Sequence, residues 1–236
     1  MNEAVVGRLA VQKPFLIMEL VGPAGAGKTT LSRALSQRSD AIQIGSEIEL
    51  RKIKYLPVFL STAISLLPIF LRQLWYRQWF TWDEIKYLVY LKGWSEVLKR
   101  EVGTGETAVL LDHGPVFKLA TLHEFGPEKL SMNGVETWWN NIFKQWASTL
   151  DIVIWLDAPD AILEKRINSR DQRHLVKGKT APEVGQFLGR YRSSYEKILA
   201  QLRTHGGPKL LQFDTSQISL DQVAEEILSA INVANR

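Results

Sequence analysis

Ten residues near the start of the chain, VGPAGAGKTT at positions 21–30, have the composition of a loop that binds phosphate. Gly22, Gly27, Lys28 and Thr29 match the pattern G-x-x-x-x-G-K-[ST] at every required position. Glycine lets the backbone turn tightly, so that its N–H groups face phosphate oxygens, and a following helix presents unpaired amides to the same anion. We therefore predict that this loop binds ATP or another nucleoside triphosphate. The predicted contact residues are Gly22, Pro23, Ala24, Gly25, Ala26, Gly27, Lys28, Thr29 and Thr30.

Two side chains of this loop have distinct predicted roles. Lys28 is expected to reach the β- and γ-phosphates, and the Thr29 hydroxyl is expected to bind Mg²⁺. A second Mg²⁺ ligand should be an acid at the end of a neighbouring buried strand, as Asp112 is in AVLLDHGP. Asp157, at the end of DIVIWLD, is a rival, but the proline-led helix after it explains that residue as a cap. The predicted metal ligands are therefore Thr29 and Asp112.

The elements that must position these residues are apolar runs rich in Val, Ile and Leu, separated by stretches with helical periodicity. The predicted strands are residues 15–21, 41–44, 108–112, 151–156 and 209–213. Helix starts are indicated by the capping boxes Thr81…Glu84, Thr180…Glu183 and Ser219…Gln222. Strands that alternate with helices predict a three-layer α/β fold with a parallel sheet. Because no linker or repeat divides the 236 residues, we predict a single domain.

The composition excludes several classes of protein. The formal net charge is only +4 and the basic residues form no long stripe, so we expect no nucleic-acid partner. The chain has no cysteine, which excludes disulfides and thiolate metal sites. The first residues include Glu3 and lack the pattern of a secretory signal. The expected location is therefore the cytoplasm.

Beyond the phosphate loop, four segments resemble the P-loop kinases of nucleosides and nucleotides, especially thymidylate kinase and the deoxynucleoside kinases. They are AVLLDHGP, DIVIWLDAPDAILEKRINSRDQRH, FLGRYRSSYEKIL and LLQFDTSQISLDQVAEEIL. The resemblance covers about the first 50 residues and most of 107–233. It implies the strand order 2-3-1-4-5, and it does not cover the helical insertion that we predict between strands 2 and 3. It also implies that DTSQ flanks the adenine base and that the chain transfers γ-phosphate from ATP with Mg²⁺.

The family ends its third strand with Asp-Arg or Glu-Arg, and the arginine helps to position phosphate or substrate. The corresponding pair is Asp112–His113, so the acid carries over and the arginine does not. This difference leaves the nucleoside identity of the acceptor open. His113 is either an acid–base group near the transferred phosphate or a hydrogen-bonded structural histidine.

The segment RINSR resembles the family's lid signature, Arg-x-x-x-Arg. Helical spacing predicts that Arg166 and Arg170 share one face, one turn apart. Together with Arg173 they are expected to close over the transferring phosphate and exclude water, within a lid at about residues 166–182. The alternative is a solvated basic face paired with neighbouring acids.

The acid that takes the acceptor proton follows the second strand in related kinases. In AIQIGSEIELRK, Glu47 occupies that place, and it is the predicted catalytic base. The alternative is that Glu47 is only the first-turn acid of a helix that Ser46 caps.

The predicted insertion, about residues 46–106, contains a 17-residue run at 55–71 without a charge. This length reaches the lower limit for a membrane-spanning helix, but two prolines and three hydroxyl residues weaken that interpretation. Two interpretations remain: a helix buried on the domain, or an apolar surface for a lipid-like acceptor or peripheral membrane contact through residues 55–82. The second is favoured by flanking residues, namely Arg51, Lys52, Lys54, Arg72, Arg77, Trp75, Trp79 and Trp82.

The sequence thus predicts an ATP- and Mg²⁺-dependent kinase whose partner is a small-molecule acceptor with a hydroxyl or phosphate group. The acceptor is either polar or lipid-like, and a homodimer is a further expected assembly. The alternative function is a nucleotide-binding switch, or a membrane-associated accessory ATPase, that phosphorylates no metabolite.

Overall fold

The computed structural model describes residues 15–45, 55–75, 80–101, 108–126 and 136–234. A parallel five-stranded sheet lies at its centre, in the order β2-β3-β1-β4-β5. The strands are β1 (Leu16–Val21), β2 (Ile42–Ile44), β3 (Ala108–Asp112), β4 (Ile152–Asp157) and β5 (Lys209–Asp214). The predicted strand order is confirmed, and each predicted strand boundary lies within one residue of the observed one.

Eight helices surround this sheet in the described part of the chain. They are α1 (Lys28–Arg38), α2 (Leu56–Trp75), α3 (Trp82–Glu101), α4 (Pro115–Phe125), α5 (Glu136–Ala147), α6 (Asp160–Asn168), α7 (Ala181–Thr204) and α8 (Leu220–Ala234). At each predicted capping box, the backbone N–H of the first residue donates to the fourth residue's side chain: Thr81 to Glu84 (2.7 Å), Thr180 to Glu183 (2.9 Å) and Ser219 to Gln222 (2.9 Å). The capping residues therefore set the starts of α3, α7 and α8.

Both faces of the central strand β1 are covered, which explains its almost continuous apolar sequence. Ile17 and Val21 belong to a core that includes residues of α3, α4 and α5. Met18 and Leu20 belong to a second core, with residues of α1, α6 and α8. The exception is Glu19, which lies in the middle of the strand and is 0% exposed.

The insertion between β2 and β3 contains α2 and α3, as predicted. The two helices pack against each other, and α3 packs in turn against α4 and α5. Gly93 permits the close crossing, because a Cβ there would lie 2.8 Å from the Thr62 hydroxyl. The buried Trp146 indole of α5 donates to the Leu91 carbonyl (2.8 Å) and so fixes α3 on the domain. Among the described residues, no helix has the length and apolarity that crossing a bilayer requires.

Candidate active site

The residues predicted to do chemistry follow the carboxyl ends of neighbouring parallel strands, where α/β folds bind ligands. The phosphate loop connects β1 to α1, and Asp112 is the last residue of β3. The register pairs Asp112 with Leu20, one residue from the end of β1. The strand, loop and helix that the motif requires are therefore present, with an acid on the adjacent strand.

The phosphate loop has a backbone that only glycine adopts readily. Gly22 has φ 139°, and a Cβ on it would lie 2.0 Å from the Leu156 carbonyl oxygen. Gly25 has φ 88°. In α1 no side chain caps the start at Gly27, and the first turn carries no acid. The amides of that turn and the positive end of the helix dipole consequently face the loop, as an anion site requires.

Lys28 is the first residue of α1, and its side chain reaches back to the start of the loop. Its ammonium group donates to the carbonyl oxygens of Gly22 (2.7 Å) and Pro23 (3.0 Å). Burial lowers the pKa of Lys28 to about 8, with Arg170 acting in the same direction and Asp112 opposing it. A buried cation held by two carbonyl groups can exchange them for the oxygens of a phosphate.

We expect the affinity for ATP to fall above pH 8, by up to about tenfold per pH unit, because deprotonated Lys28 no longer attracts phosphate. Calorimetric titration with ATP between about pH 7 and pH 9.5 measures this dependence. Lys28→Arg should flatten the profile, since a guanidinium group stays charged. Lys118→Arg is the matched control, because burial also lowers the pKa of Lys118 to about 8. This substitution should leave the pH dependence of ATP affinity unchanged. An unaltered decline in Lys28→Arg would contradict the assignment.

The two rival acids have different surroundings. Asp157 receives two bonds from Arg192, Nε to Oδ2 (2.7 Å) and Nη2 to Oδ1 (3.0 Å), so it forms an ion pair with α7. The Oδ1 atom of Asp112 is buried and accepts no hydrogen bond from the described residues, although His113 Nδ1 lies 3.2 Å away. A buried carboxylate oxygen without a donor is suited to binding a cation. This contrast supports Asp112 over Asp157 as the metal ligand.

Mg²⁺ would find two protein ligands here, the Asp112 carboxylate and the Thr29 hydroxyl, which is exposed in the first turn of α1. In the described part of the chain, no cluster of three His, Asp or Glu residues could hold a metal by itself. Mg²⁺ commonly binds through one or two protein ligands and completes its coordination with phosphate oxygens and water. The residues present therefore fit Mg²⁺ delivered with a nucleotide.

His113 has the left-handed backbone conformation, with φ 56°, directly after Asp112. Its ring lies edge-on against Phe117 at 4.5 Å between centroids and lines the same cavity as the phosphate loop. Burial lowers the pKa of His113, and Lys28 and Lys118 act in the same direction while Asp112 opposes them. The imidazole at this position is therefore mainly neutral at neutral pH.

A cavity of about 370 Å³ lies between the phosphate loop and the segment that follows α6. Gly22, Pro23, Ala24, Gly25, Gly27, Lys28 and Thr29 line one side of it. Phe117, Phe187 and Tyr191 form an aromatic side, in which the rings of Phe117 and Tyr191 are nearly parallel at 6.4 Å. Arg170 and Arg173 also line the cavity. Cationic and aromatic groups thus surround one space beside the phosphate loop.

The predicted helical face shared by Arg166 and Arg170 is wrong, because α6 ends at Asn168. The Asn168 side-chain oxygen accepts a hydrogen bond from the Gly178 amide (3.0 Å), and the intervening residues form turns. Arg170 and Arg173 lie in this segment beside the phosphate cavity. The bond to Gly178 is a contact between residues distant in sequence, which helical spacing does not reveal.

Arg166, unlike Arg170 and Arg173, does not line the cavity of about 370 Å³. Its Nη1 donates to Thr215 Oγ1 (2.8 Å), and its Nη2 donates to the Thr215 carbonyl (2.9 Å). A second cavity of about 320 Å³ lies beside these bonds. The residues that line it are Gly25, Ala26, Gly27, Thr30, Arg166, Ser169, Arg170, Thr215 and Leu220. The predicted loop residues Ala26 and Thr30 thus line this second cavity, and Arg166 is joined to the DTSQ segment.

The predicted base, Glu47, lies outside the described residues, as do Ser46 and the basic residues Arg51, Lys52 and Lys54. Its role stays a prediction from the sequence.

Glu19 is a buried acid next to the site that the sequence prediction missed. Its carboxylate accepts hydrogen bonds from the backbone N–H groups of Val116 (2.8 Å) and Phe117 (2.9 Å), at the start of α4. A Cβ on Gly114 would lie 2.7 Å from its carboxyl carbon, so the contact needs glycine there. Burial raises the pKa of Glu19, while the two N–H donors and Lys118 act in the opposite direction. The available signal was an acid inside the otherwise apolar run LIMELV.

Glu19→Gln is expected to lower the free energy of unfolding by about 1–3 kcal/mol, because an amide group would replace one of the two acceptors and face a backbone donor. Urea denaturation followed by circular dichroism measures this change. Glu226→Gln, at an exposed position of α8, is the matched control and should change stability by no more than about 0.5 kcal/mol. Equal effects of the two substitutions would contradict the role of Glu19 at α4.

Comparison with known proteins identifies related sequences and folds. The sequence model of AAA_33, described as AAA domain, matches residues 17–193. No curated protein matches the sequence. Thymidylate kinase from Candida albicans is similar in structure at 16% identity and a TM-score of 0.53, over 94% of each chain. M. mycoides deoxyadenosine kinase with bound dATP is similar at 17% identity and a TM-score of 0.50, over 91% of this chain and 98% of the kinase.

The Bacillus subtilis YorR protein, in complex with phosphorylated GDP, is also similar, at 17% identity and a TM-score of 0.50. The structural match covers 92% of this chain and 96% of the YorR protein. At such low identities these likenesses show the fold. The sheet order and the helices around it are those of a P-loop kinase-like fold.

Proposed function

The chain belongs to the AAA domain family AAA_33, and from that premise we propose that it is a phosphotransferase that moves the γ-phosphate of ATP to a small-molecule acceptor. The observation that carries the proposal is the 370 Å³ cavity, in which Lys28 and Arg170 lie beside an aromatic wall. The aromatic wall gives a planar acceptor a surface to pack against, next to the phosphate loop. The kinase fold of the similar structures supports the same reaction class.

Nucleotide binding is assigned to the two cavities on either side of the phosphate loop. The loop amides and Lys28 hold the triphosphate, because both present N–H donors to its oxygens. The 320 Å³ cavity beside Thr215 and Leu220 receives the base, with Arg166 held there by Thr215. This placement agrees with the adenine-flanking role that the family resemblance implies for DTSQ.

The metal site of the proposed reaction is formed by Thr29 and Asp112. Mg²⁺ bound there supplies positive charge to the phosphate oxygens as negative charge develops on them. The Asp112 oxygen that lacks a hydrogen-bond donor supports this assignment.

In the transfer itself, an acceptor oxygen bonds to the γ-phosphorus while the bond from that phosphorus to the β–γ bridging oxygen breaks, releasing ADP. Arg170 and Arg173 offset the charge of the transferring group, since both line the cavity beside the loop. The acceptor proton is assigned to the Glu47 carboxylate when the acceptor is a hydroxyl group. The neutral imidazole of His113, in the same cavity, is the second group able to take it.

The aromatic wall indicates the class of acceptor. The nearly parallel rings of Phe117 and Tyr191 can hold a planar ring against them, as aromatic side chains do. We therefore propose a polar acceptor with a planar ring, of which a nucleoside or nucleotide is the nearest chemical class. Deoxyadenosine kinase and thymidylate kinase, which share the fold, are named for acceptors of this kind.

The test is transfer of labelled γ-phosphate from ATP into a metabolite and lipid extract, with Lys28→Ala as the inactive control. The products are partitioned between water and an organic solvent and then separated. Label in an aqueous, ultraviolet-absorbing product that Lys28→Ala does not form is the expected result. Label in the organic phase would contradict a planar polar acceptor and indicate a lipid-like one. Label in free phosphate alone would overturn the kinase assignment and support the nucleotide-binding switch.

A further inference from the structure

Helix α2 exposes a row of large aliphatic side chains. Those side chains are Leu56, Leu60, Ile64, Leu67 and Leu71, each between 48% and 64% exposed. Their spacing of three or four residues places them along one side of the helix. The opposite side, with Val58, Thr62 and Leu66, is buried toward the domain. We call the exposed row the α2 stripe.

The α2 stripe differs from an ordinary surface helix in lacking charged neighbours. Residues 55–71 contain no Asp, Glu, Lys or Arg, so the whole exposed side of this segment is apolar or carries hydroxyl groups. A contiguous apolar surface of this kind is rare on a monomeric protein and marks a contact with another molecule or a membrane. Scattered exposed leucines would carry no such meaning.

The nearest charged residues on both sides of the charge-free run in the sequence are basic. From position 50 to position 82 the sequence has no acidic residue, and its basic residues precede and follow the charge-free run: Arg51, Lys52, Lys54, Arg72 and Arg77. At the start of α3, Trp82 is 69% exposed. The ammonium of Lys86 lies 5.8 Å from its ring centroid and also pairs with Asp83 (3.0 Å), so the basic contribution comes from the residues that flank the run and not from Lys86. Apolar side chains flanked by basic residues and tryptophan match the chemistry of an anionic lipid surface.

We propose that α2 lies on the surface of an anionic bilayer and buries the α2 stripe among the lipids. The helix does not cross the bilayer, because in the described part of the chain no helix has the length and apolarity for that. An interfacial helix needs only one apolar side and basic residues near the headgroups, which is the pattern here. This inference is independent of the proposed kinase activity, since it concerns binding to lipid alone.

A second copy of the chain is a less suitable occupant of the α2 stripe. If two copies paired through α2, each end of one helix would meet an end of the other. The nearest charged residues at both ends of the run are basic, so parallel and antiparallel pairings both bring like charges together. An anionic surface instead attracts both ends.

The first test is flotation of the full chain with vesicles of 70% phosphatidylcholine and 30% phosphatidylserine, compared with pure phosphatidylcholine. We expect binding to the anionic vesicles that weakens with added salt, because salt screens the basic contribution. Leu60→Glu should weaken the partition about tenfold or more, since it removes a leucine that the bilayer would bury and adds a charge. Leu175→Glu, the same change at a leucine that is 79% exposed outside α2, should leave it unchanged.

The absence of cysteine permits a second, site-specific test. Ile64→Cys and Leu175→Cys are each labelled with an environment-sensitive fluorophore, and spectra are recorded with and without the same vesicles. A blue shift on adding vesicles at position 64 alone is the expected result. Equal shifts at both positions, or none, would overturn the proposal. The proposal would also be overturned if the position-64 spectrum were already blue-shifted without vesicles and light scattering showed a dimer that Leu60→Glu dissociates. A second copy of the chain would then cover α2.

Discussion

Replacing Arg170 with alanine is expected to lower kcat about a thousandfold while the Kd for ATP changes only severalfold. Arg170 lines the cavity beside the phosphate loop, and its charge contributes to the lowered pKa of Lys28, so the two cations act on the same space. Arginine in such a place offsets the charge that spreads over the transferring phosphoryl group, and this stabilisation is largest in the transition state. Steady-state transfer of labelled phosphate measures kcat, and calorimetric titration measures the Kd.

Arg166→Ala is the matched control, since it removes an arginine at a different place beside the same loop. The guanidinium of Arg166 is bonded to Thr215, next to the cavity assigned to the base. Its loss should therefore raise the KM for ATP about tenfold and affect kcat less. If Arg166→Ala lowers kcat as much as Arg170→Ala does, the separation of the two arginines into base-side and phosphate-side groups is incorrect.

The sheet could be predicted from the sequence because its central strands are buried on both faces. Such strands have nearly continuous apolar sequences, as LIMELV and IVIWLD show for β1 and β4. The phosphate loop could be predicted because its glycines and lysine are dictated by local backbone geometry and by the anion. Both signals lie within about ten consecutive residues.

The features that the sequence did not reveal depend on contacts between distant residues. Glu19 binds backbone amides at the start of α4 that lie 97 and 98 positions later in the chain. The end of α6 at Asn168 is followed by a bond to Gly178, so Arg170 lies beyond the helix that contains Arg166. Local periodicity contains no information on such partners. It therefore predicted that the helix continues to Arg170, whereas the chain forms turns after Asn168.

The insertion shows a third limit, because an apolar run has the same sequence whether it is buried or exposed. Residues 55–71 were compatible with a core helix and with a surface for lipid. The structure shows that α3 covers one side of α2 and that the α2 stripe stays exposed. Whether an apolar helix is buried or exposed depends on where its partner helix packs. The absence of charge in its sequence does not specify this packing.

Replacing Asp112 with asparagine is expected to lower kcat by about two to three orders of magnitude and to raise the Mg²⁺ concentration needed for half-maximal rate. The Oδ1 atom of Asp112 is buried and accepts no hydrogen bond from the described residues, so its negative charge is available to a cation. Asparagine keeps the shape of the side chain but removes its negative charge. The loss should weaken Mg²⁺ binding strongly and affect the stability of the fold little. Rates measured over a series of Mg²⁺ concentrations at fixed ATP separate the two effects.

Asp157→Asn makes the same chemical change on a neighbouring strand and distinguishes a metal ligand from a structural acid. Asp157 holds Arg192 through two hydrogen bonds, so its substitution should lower the free energy of unfolding by about 1–2 kcal/mol, a modest value because the pair is partly exposed. The Mg²⁺ dependence of the rate should stay as in the unmodified chain. Asp112→Asn should show the opposite pattern, with an altered Mg²⁺ dependence and little loss of stability. A shift in Mg²⁺ dependence in Asp157→Asn alone would move the metal site from the end of β3 to the end of β4.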